Sequence, residues 1–318
     1  MSKSEVHADL WVTEHVSPFA VYHHGIKKIL VQKETKYQEM IILESGNSGT
    51  ALVLDGKWQS CTGDEFLYHE PLVHPACLIH SNPKNVLILG GGEGAAVREA
   101  LKWKSVENIT MIDLDGEVVE ACKEHMADMH QGAFEDPRVT VLIQDALEYV
   151  DETDIKWDVV ISDLSDPIEE GPSFKLFTKE YFEKINGILS DDGVFTIQAG
   201  SVSPMEMSMH VKLINTLKAV FPHVHNYSSY VPTYVAPWGF GIASKKPFET
   251  FFDPKETDKI LAEKTNNNFT MFDGIALLGL FHTPKNLRDA IEIETEVYTQ
   301  TAPPKFFGKG AGGIKKPI

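Results

Sequence analysis

The 318-residue chain is poor in several features, and each shortage closes a line of interpretation. It holds three cysteines, Cys61, Cys77 and Cys122. An odd, widely spaced set predicts reduced thiols, not a disulfide framework. No apolar run approaches the ~18 residues of a membrane span, and the opening MSKSEVHADLW has no apolar signal core, so the expected setting is the cytoplasm. Positive charge is scarce: 29 Lys and Arg stand against 46 Asp and Glu, a formal net charge of -17. That balance argues against nucleic acid, whose binding depends on neutralising phosphates with Lys and Arg. It suits a cationic ligand, which an acidic surface attracts. His23-His24 and His69, His74 and His80 lack the Cys/His clustering of a zinc site, so no metal is expected.

What is present falls into two regions. Short apolar runs at Ile29–Val31, Glu39–Glu44 and Thr50–Leu54 are separated by the turn signals Gly46-Asn47-Ser48-Gly49 and Asp55-Gly56. They predict a small antiparallel sheet, followed by an irregular helix over Asp64 to Ile79 with Asp64 as its N-cap and Pro71 and Pro75 inside. Residues 1–78 are therefore expected to form an N-terminal β domain plus connecting helix, and 79–318 the main domain. From Asn82-Pro83 onward, strands and helices alternate. Apolar runs at Val86–Leu89, Ile109–Ile112, Val139–Ile143, Val159–Ile161 and Val194–Gln198 are interleaved with helical stretches. Repeated βα units of this spacing predict an α/β fold with a doubly wound parallel sheet. The glycine-rich tail from Lys305 reads as irregular.

The chemistry gathers at the carboxyl ends of the predicted strands, where open α/β sheets place their ligands. Glu93 follows the first strand in Gly90-Gly91-Gly92-Glu93-Gly94, Asp113 ends the second, Asp145 the third and Asp163 the fourth. Beyond Asp163 come Asp166, Glu169 and Glu170 before Gly171-Pro172. Carboxylates this dense repel one another unless a cation sits among them; the competing interpretation is a solvated acidic turn. The glycine loop departs from G-x-G-x-x-G spacing and puts Glu93 where a pyrophosphate would be repelled, which disfavours a nicotinamide dinucleotide. Asp113 stands where an acid binds a ribose hydroxyl, while the nearby Asp115 reads as a helix cap. Asp145 could accept from an adenine amino group. Four acids at four strand ends suit a positively charged nucleoside without phosphates, such as a sulfonium nucleoside.

Seven motifs in order, KYQEM, LVLDGKWQS, DEFLYHE, GGGEGAAVRE, DLSDPIEEGP, QAG and VPTYVAPWGF, resemble the polyamine aminopropyltransferases, the spermidine synthases and their relatives. The likeness runs from about Gln32 to Trp238 and more loosely to the end. The DL-x-DP form, GP after two acids, HE after the tyrosine, and ETEVY near the carboxyl end are most similar to thermospermine synthases. The resemblance implies a Rossmann-like, methyltransferase-type sheet and decarboxylated S-adenosylmethionine as co-substrate, with no further cofactor. It also implies a polyamine acceptor and a homodimer or homotetramer. It places Gln38 on the ribose or methylthio side and Gln59 near the aminopropyl arm. Glu93 falls on the acid that holds the donor amine and Asp113 on the ribose acid, with Asp145 and the backbone of Ala146 at the adenine. Asp163 falls on the catalytic aspartate and Tyr68 on the tyrosine that assists it. Asp166 and Tyr234, with Gln198 nearby, fall on the acceptor site.

Two departures bear on the acceptor. His69 replaces the glutamine that many spermidine synthases carry after the tyrosine, and Leu164 replaces a serine after the aspartate. Both are expected to face the acceptor and to favour an amine longer than putrescine. Trp238 either adds an aromatic wall to that pocket or is core packing. Spermidine is thus the expected acceptor and thermospermine the expected product. Spermidine synthase, spermine synthase, an S-adenosylmethionine methyltransferase and a non-catalytic polyamine binder are the alternatives. Glu93 argues against the methyltransferase, which must bind the donor's carboxylate.

Overall fold

A computed structural model of the protein describes residues 8, 10–17, 19–167, 173–304 and 312–315. The amino-terminal region is a sheet of β1 (Leu10–Ser17), β2 (Ala20–Glu34), β3 (Glu39–Ser45), β4 (Thr50–Leu54) and β5 (Lys57–Cys61), each antiparallel to the next. Asp55-Gly56 makes the β4–β5 turn with φ of 48° and 75°, the left-handed pair that a two-residue hairpin requires. The helix α1 (Phe66–His80) leads from this sheet into the second. Asp64 does not cap it. Glu65 occupies the cap position, and the Asp64 carboxylate accepts instead from the Thr233 N–H (2.8 Å), tying the helix start to a distant turn. Pro75 has no N–H to give the Pro71 carbonyl four residues back. The Tyr227 hydroxyl donates to that carbonyl at 2.8 Å, so the interrupted helix is satisfied from outside.

The second region alternates β6 (Asn85–Gly90), α2 (Ala95–Leu101), β7 (Asn108–Asp113), α3 (Gly116–His125), α4 (Ala127–His130), β8 (Val139–Ile143), α5 (Ala146–Glu152) and β9 (Trp157–Asp163). It continues with α6 (Lys179–Ile188), β10 (Leu189–Ser201), α7 (Ser208–Lys218), β11 (His223–Val231) and β12 (Ala236–Ser244), then α8 (Pro254–Lys264), α9 (Gly274–Phe281) and α10 (Lys285–Ile293). The strand order is β11-β12-β10-β9-β6-β7-β8. The sheet is parallel except at one edge, where β12 runs antiparallel to β10 and β11 to β12. Val86–Leu89 on β6 and Val159–Ile161 on β9 are fully buried. Strands covered on both faces need apolar side chains throughout, and these therefore show as unbroken runs in the sequence. Order reverses between β6 and β9, and a crevice opens there at the strands' carboxyl ends.

Glu70 locks the remaining segment in place. Its buried carboxylate accepts the N–H groups of Thr270, Met271 and Phe272 at 2.6–2.8 Å. The glycine-rich tail is not irregular throughout: β13 (Gly312–Lys315) pairs antiparallel with β1 and extends the first sheet to six strands.

Candidate active site

One cleft between the two sheets gathers the candidate site residues that lie among the described residues. Gln38, Gln59, Tyr68, His69, Glu93, Asp113, Asp145, Ala146, Asp163, Asp166, Gln198, Tyr234 and Trp238 all line it. Glu169, Glu170, Gly171 and Pro172 lie outside the described residues.

The glycine loop sets the spacing. Gly90 ends β6 at φ +82°, and a Cβ there would sit 2.2 Å from the Asp163 carbonyl oxygen. The next N–H, that of Gly91, donates to the same oxygen at 3.1 Å. Glycine at position 90 thus lets the ends of β6 and β9 close on one another and brings Glu93 into the neighbourhood of Asp163.

On the β7–β8 side, Asp113 accepts the Asp115 N–H at 2.9 Å. Burial, reinforced by the charges of Glu93, Asp115 and Asp163, pushes the Asp113 carboxyl up to about 7. Asp115 caps α3 by accepting from Glu117 N–H (3.1 Å), as the sequence predicts, and also receives Thr35 Oγ1 (2.6 Å) and Gln38 Nε2 (3.1 Å). Gln38 is thereby fixed beside Asp113. Asp145 caps α5 through the Leu147 N–H at 2.7 Å, a role in the fold that the sequence reading did not assign, and Ala146 begins that helix.

At the centre, Tyr68 donates its hydroxyl to Asp163 Oδ1 at 2.7 Å. Asp163 Oδ2 is buried and has no hydrogen-bond partner among the described residues. Burial, together with Glu93, raises the Asp163 carboxyl above the usual range against the opposing pull of His69 and Tyr68. His69 does not simply face the acceptor. It is 1% exposed, with Nδ1 2.9 Å from Glu65 and Nε2 2.8 Å from Glu93. A ring with a carboxylate on each nitrogen holds both protons. Burial opposes that charge, but the two carboxylates outweigh it and push the imidazole up to about 10. Glu65 is held in turn by Arg98 at 2.8 Å, which also meets Glu99. Ligand atoms of His69, Glu93 and Asp163 lie within 4.8 Å of one another, a spacing that a metal ion could use. The ion-pair chain already accounts for both His69 nitrogens.

At the other end, burial pushes Asp166 up to about 6, against Gln198 and Lys57. Gln198 Nε2 donates to Asp166 at 3.3 Å and to the Leu164 carbonyl at 2.9 Å, while its Oε1 accepts from Trp238 Nε1 at 3.1 Å. Trp238 is half-buried, lines the cleft and meets Tyr234 edge-on at 4.8 Å. Tyr234 donates to the Gln59 carbonyl. These contacts tie the Tyr234 and Trp238 rings, through Gln198, to Asp166 along one wall of the cleft.

Sequence reasoning passed over Glu14, Lys57 and Glu206, which line this same end. Lys57 stands two residues before Gln59 on β5, and the period-two alternation of a strand puts the two on one face. That was the available signal. Glu14 and Glu206 offered none, because their positions depend on β1 pairing and on the approach to α7.

In sum, the cleft can hold a multiply charged cation and can take up a proton at Asp163 Oδ2. Residues 65–254 match the model of the spermine/spermidine synthase domain, and residues 10–61 that of the spermidine synthase tetramerisation domain. A polyamine aminopropyltransferase of Synechococcus sp. is 49% identical over 303 residues, covering 93% of this chain and 97% of its own. One from Sulfurisphaera tokodaii is 39% identical, covering 92% and 97%. The crystal structure of spermidine synthase from Thermotoga maritima superposes with TM-score 0.81 at 27% identity, covering 92% of this chain and 97% of that one. That of a spermidine synthase in complex with the transition-state analogue AdoDATO does so with TM-score 0.82 at 27% identity and the same coverage. With both of its regions matched, the chain belongs to the spermine/spermidine synthase family.

Proposed function

We propose that the protein transfers the aminopropyl group of decarboxylated S-adenosylmethionine to spermidine, giving thermospermine and methylthioadenosine. One observation carries the chemistry: Asp163 Oδ2, buried and without a hydrogen-bond partner among the described residues, in a cleft lined by acids. A polyamine nitrogen has a pKa of about 10, like lysine, and is protonated at neutral pH. To attack, it must lose that proton, and Asp163 Oδ2 accepts it as general base. The Tyr68 hydroxyl on Oδ1 fixes the carboxylate in orientation.

The leaving group needs no help, since the sulfonium departs as a neutral thioether; the reaction therefore calls for no cofactor, acid or metal. The nitrogen attacks the methylene next to sulfur in line, and binding has to bring the two atoms to about 3–3.5 Å. Glu93 holds the donor's amine, Asp113 its ribose hydroxyls, and Asp145 with the Ala146 N–H its adenine. Gln38 and Gln59 flank the ribose and the aminopropyl arm. Asp166, positioned by Gln198, holds a charged nitrogen of the acceptor against the Tyr234 and Trp238 rings. Two cations are pressed together here, and fixed carboxylates oppose that repulsion throughout the reaction.

Several features support the reading. Relatives at 49% and 39% identity are named polyamine aminopropyltransferases, and a structural neighbour is a spermidine synthase bound to a transition-state analogue. Leu164 and the Trp238 wall favour a long, partly apolar acceptor over putrescine. The match of residues 10–61 to a tetramerisation domain supports a homo-oligomer, dimer or tetramer, with the first sheet as the contact. The acidic balance fits a protein that binds no nucleic acid and works in the cytoplasm. Among the described residues, no helix is long and apolar enough to cross a membrane.

The test is a mass-resolved chromatographic product assay with putrescine, spermidine and norspermidine in separate reactions. A spermidine-derived product that separates from spermine and co-elutes with thermospermine is the expected result. Spermidine formed from putrescine would overturn the acceptor assignment.

A further inference from the structure

Among the described residues, one lysine stands with the acids at the acceptor end of the cleft. Lys57 lies on β5, is 7% exposed, and donates to the His15 carbonyl on β1. It shares this end of the cleft with Glu14, Asp166 and Glu206, and its charge interacts with all three. His24 also approaches Glu14, at 3.6 Å. A lysine placed this deeply loses hydration, and burial lowers its proton affinity although the three acids raise it. A side chain serving only to cover apolar surface would extend its ammonium to water. This one turns inward among the acids.

Among the described residues, the Lys57 ammonium faces the carboxylates of Glu14, Asp166 and Glu206 and offsets part of their charge. The acceptor's attacking nitrogen is neutral when it reacts, so a diamine brings one remaining charge, a triamine two and a tetraamine three.

We propose that the Lys57 ammonium is a built-in stand-in for one polyamine nitrogen, so that Lys57 determines acceptor specificity by setting how many further charges the cleft accepts. This rests on the acceptor reading above. It adds that the selection is made by charge at Lys57, beside the shape supplied by Leu164 and Trp238.

The experiment measures kcat/KM from methylthioadenosine release with putrescine, spermidine and spermine, for the full-length protein and for Lys57→Met and Lys57→Arg. Lys57→Met keeps the bulk and removes the charge. Its kcat/KM for spermine relative to spermidine should rise by at least about tenfold, the scale of one charge interaction in a partly solvated cleft. Lys57→Arg, which keeps the charge, should retain the original ratio. A ratio unchanged in Lys57→Met, or shifted equally in Lys57→Arg, overturns the proposal. If Lys57→Met does not fold, Lys57→Gln removes the charge while retaining a donor towards the His15 carbonyl, and the same ratio decides. Failure of the acceptor reading is distinguishable. Should the unaltered protein prefer putrescine, that reading falls, and the stand-in role still requires Lys57→Met to move preference up by one nitrogen, to spermidine.

Discussion

Replacing Asp113 by asparagine should make the free protein more stable while weakening its hold on the donor. The carboxyl sits among Glu93, Asp115 and Asp163 and keeps its proton to about pH 7, where an ordinary aspartate releases it near 3.8. The folded state thus binds the proton more tightly than the unfolded chain. Stability from this group is greatest in acid and falls as pH rises from about 4 to 7, with the whole cost present above that window. Unscreened, the cost at pH 8 is about 4 kcal/mol, at ~1.4 kcal/mol per pH unit. The carboxyl is partly open to the cleft, and solvent screening leaves roughly 2 kcal/mol. At ~2.1 cal/mol/K per residue, that moves the melting temperature of a chain this long by about 3 °C. Asparagine keeps an oxygen for the Asp115 N–H and removes the charge. Melting curves from pH 5 to pH 8 should therefore show Asp113→Asn gaining on the unaltered protein as pH rises, by about 3 °C at pH 8. Donor affinity should fall roughly ten- to hundredfold, the scale of a hydrogen bond to a charged group. A variant less stable at pH 8, or a difference independent of pH, would refute the reasoning.

Gly90→Ala should fold poorly, or fold with the β9 end displaced, because its Cβ would lie 2.2 Å from the Asp163 carbonyl oxygen. A soluble Gly90→Ala protein with unaltered turnover would contradict that geometry. Tyr68→Phe removes the donor at 2.7 Å from a buried carboxylate. A tenfold to hundredfold loss of kcat is expected, from about 1.5–3 kcal/mol for a hydrogen bond to a charged group, and a loss below twofold in steady-state assays would dismiss its part.

The strands and their terminal acids were legible in the sequence because both signals are local. Val159–Ile161 is apolar because β9 is covered on both faces, and Asp163 follows directly as the chain emerges into the crevice. Asp115 as a cap was legible for the same reason. What lay hidden depends on partners distant in sequence. Gly312–Lys315 has little strand propensity of its own and becomes β13 only by pairing with β1, some three hundred residues earlier. Asp64 looked like a cap until Thr233 claimed it. His69 was read as facing the acceptor, because nothing local announces that Glu65 and Glu93 close on both sides of its ring. Lys57 drew no notice because the three acids around it come from β1, the loop after β9 and the approach to α7.

The account stands most directly on Asp163 as the proton acceptor. Asp163→Asn keeps the size of the side chain and an oxygen for the Tyr68 hydroxyl while abolishing the base. Single-turnover methylthioadenosine release and donor binding by calorimetry, measured on the same preparation, separate chemistry from binding. The account predicts a rate lower by about two to four decades, the usual contribution of a general base, with donor affinity changed by less than about tenfold. Near-normal turnover in Asp163→Asn would contradict it.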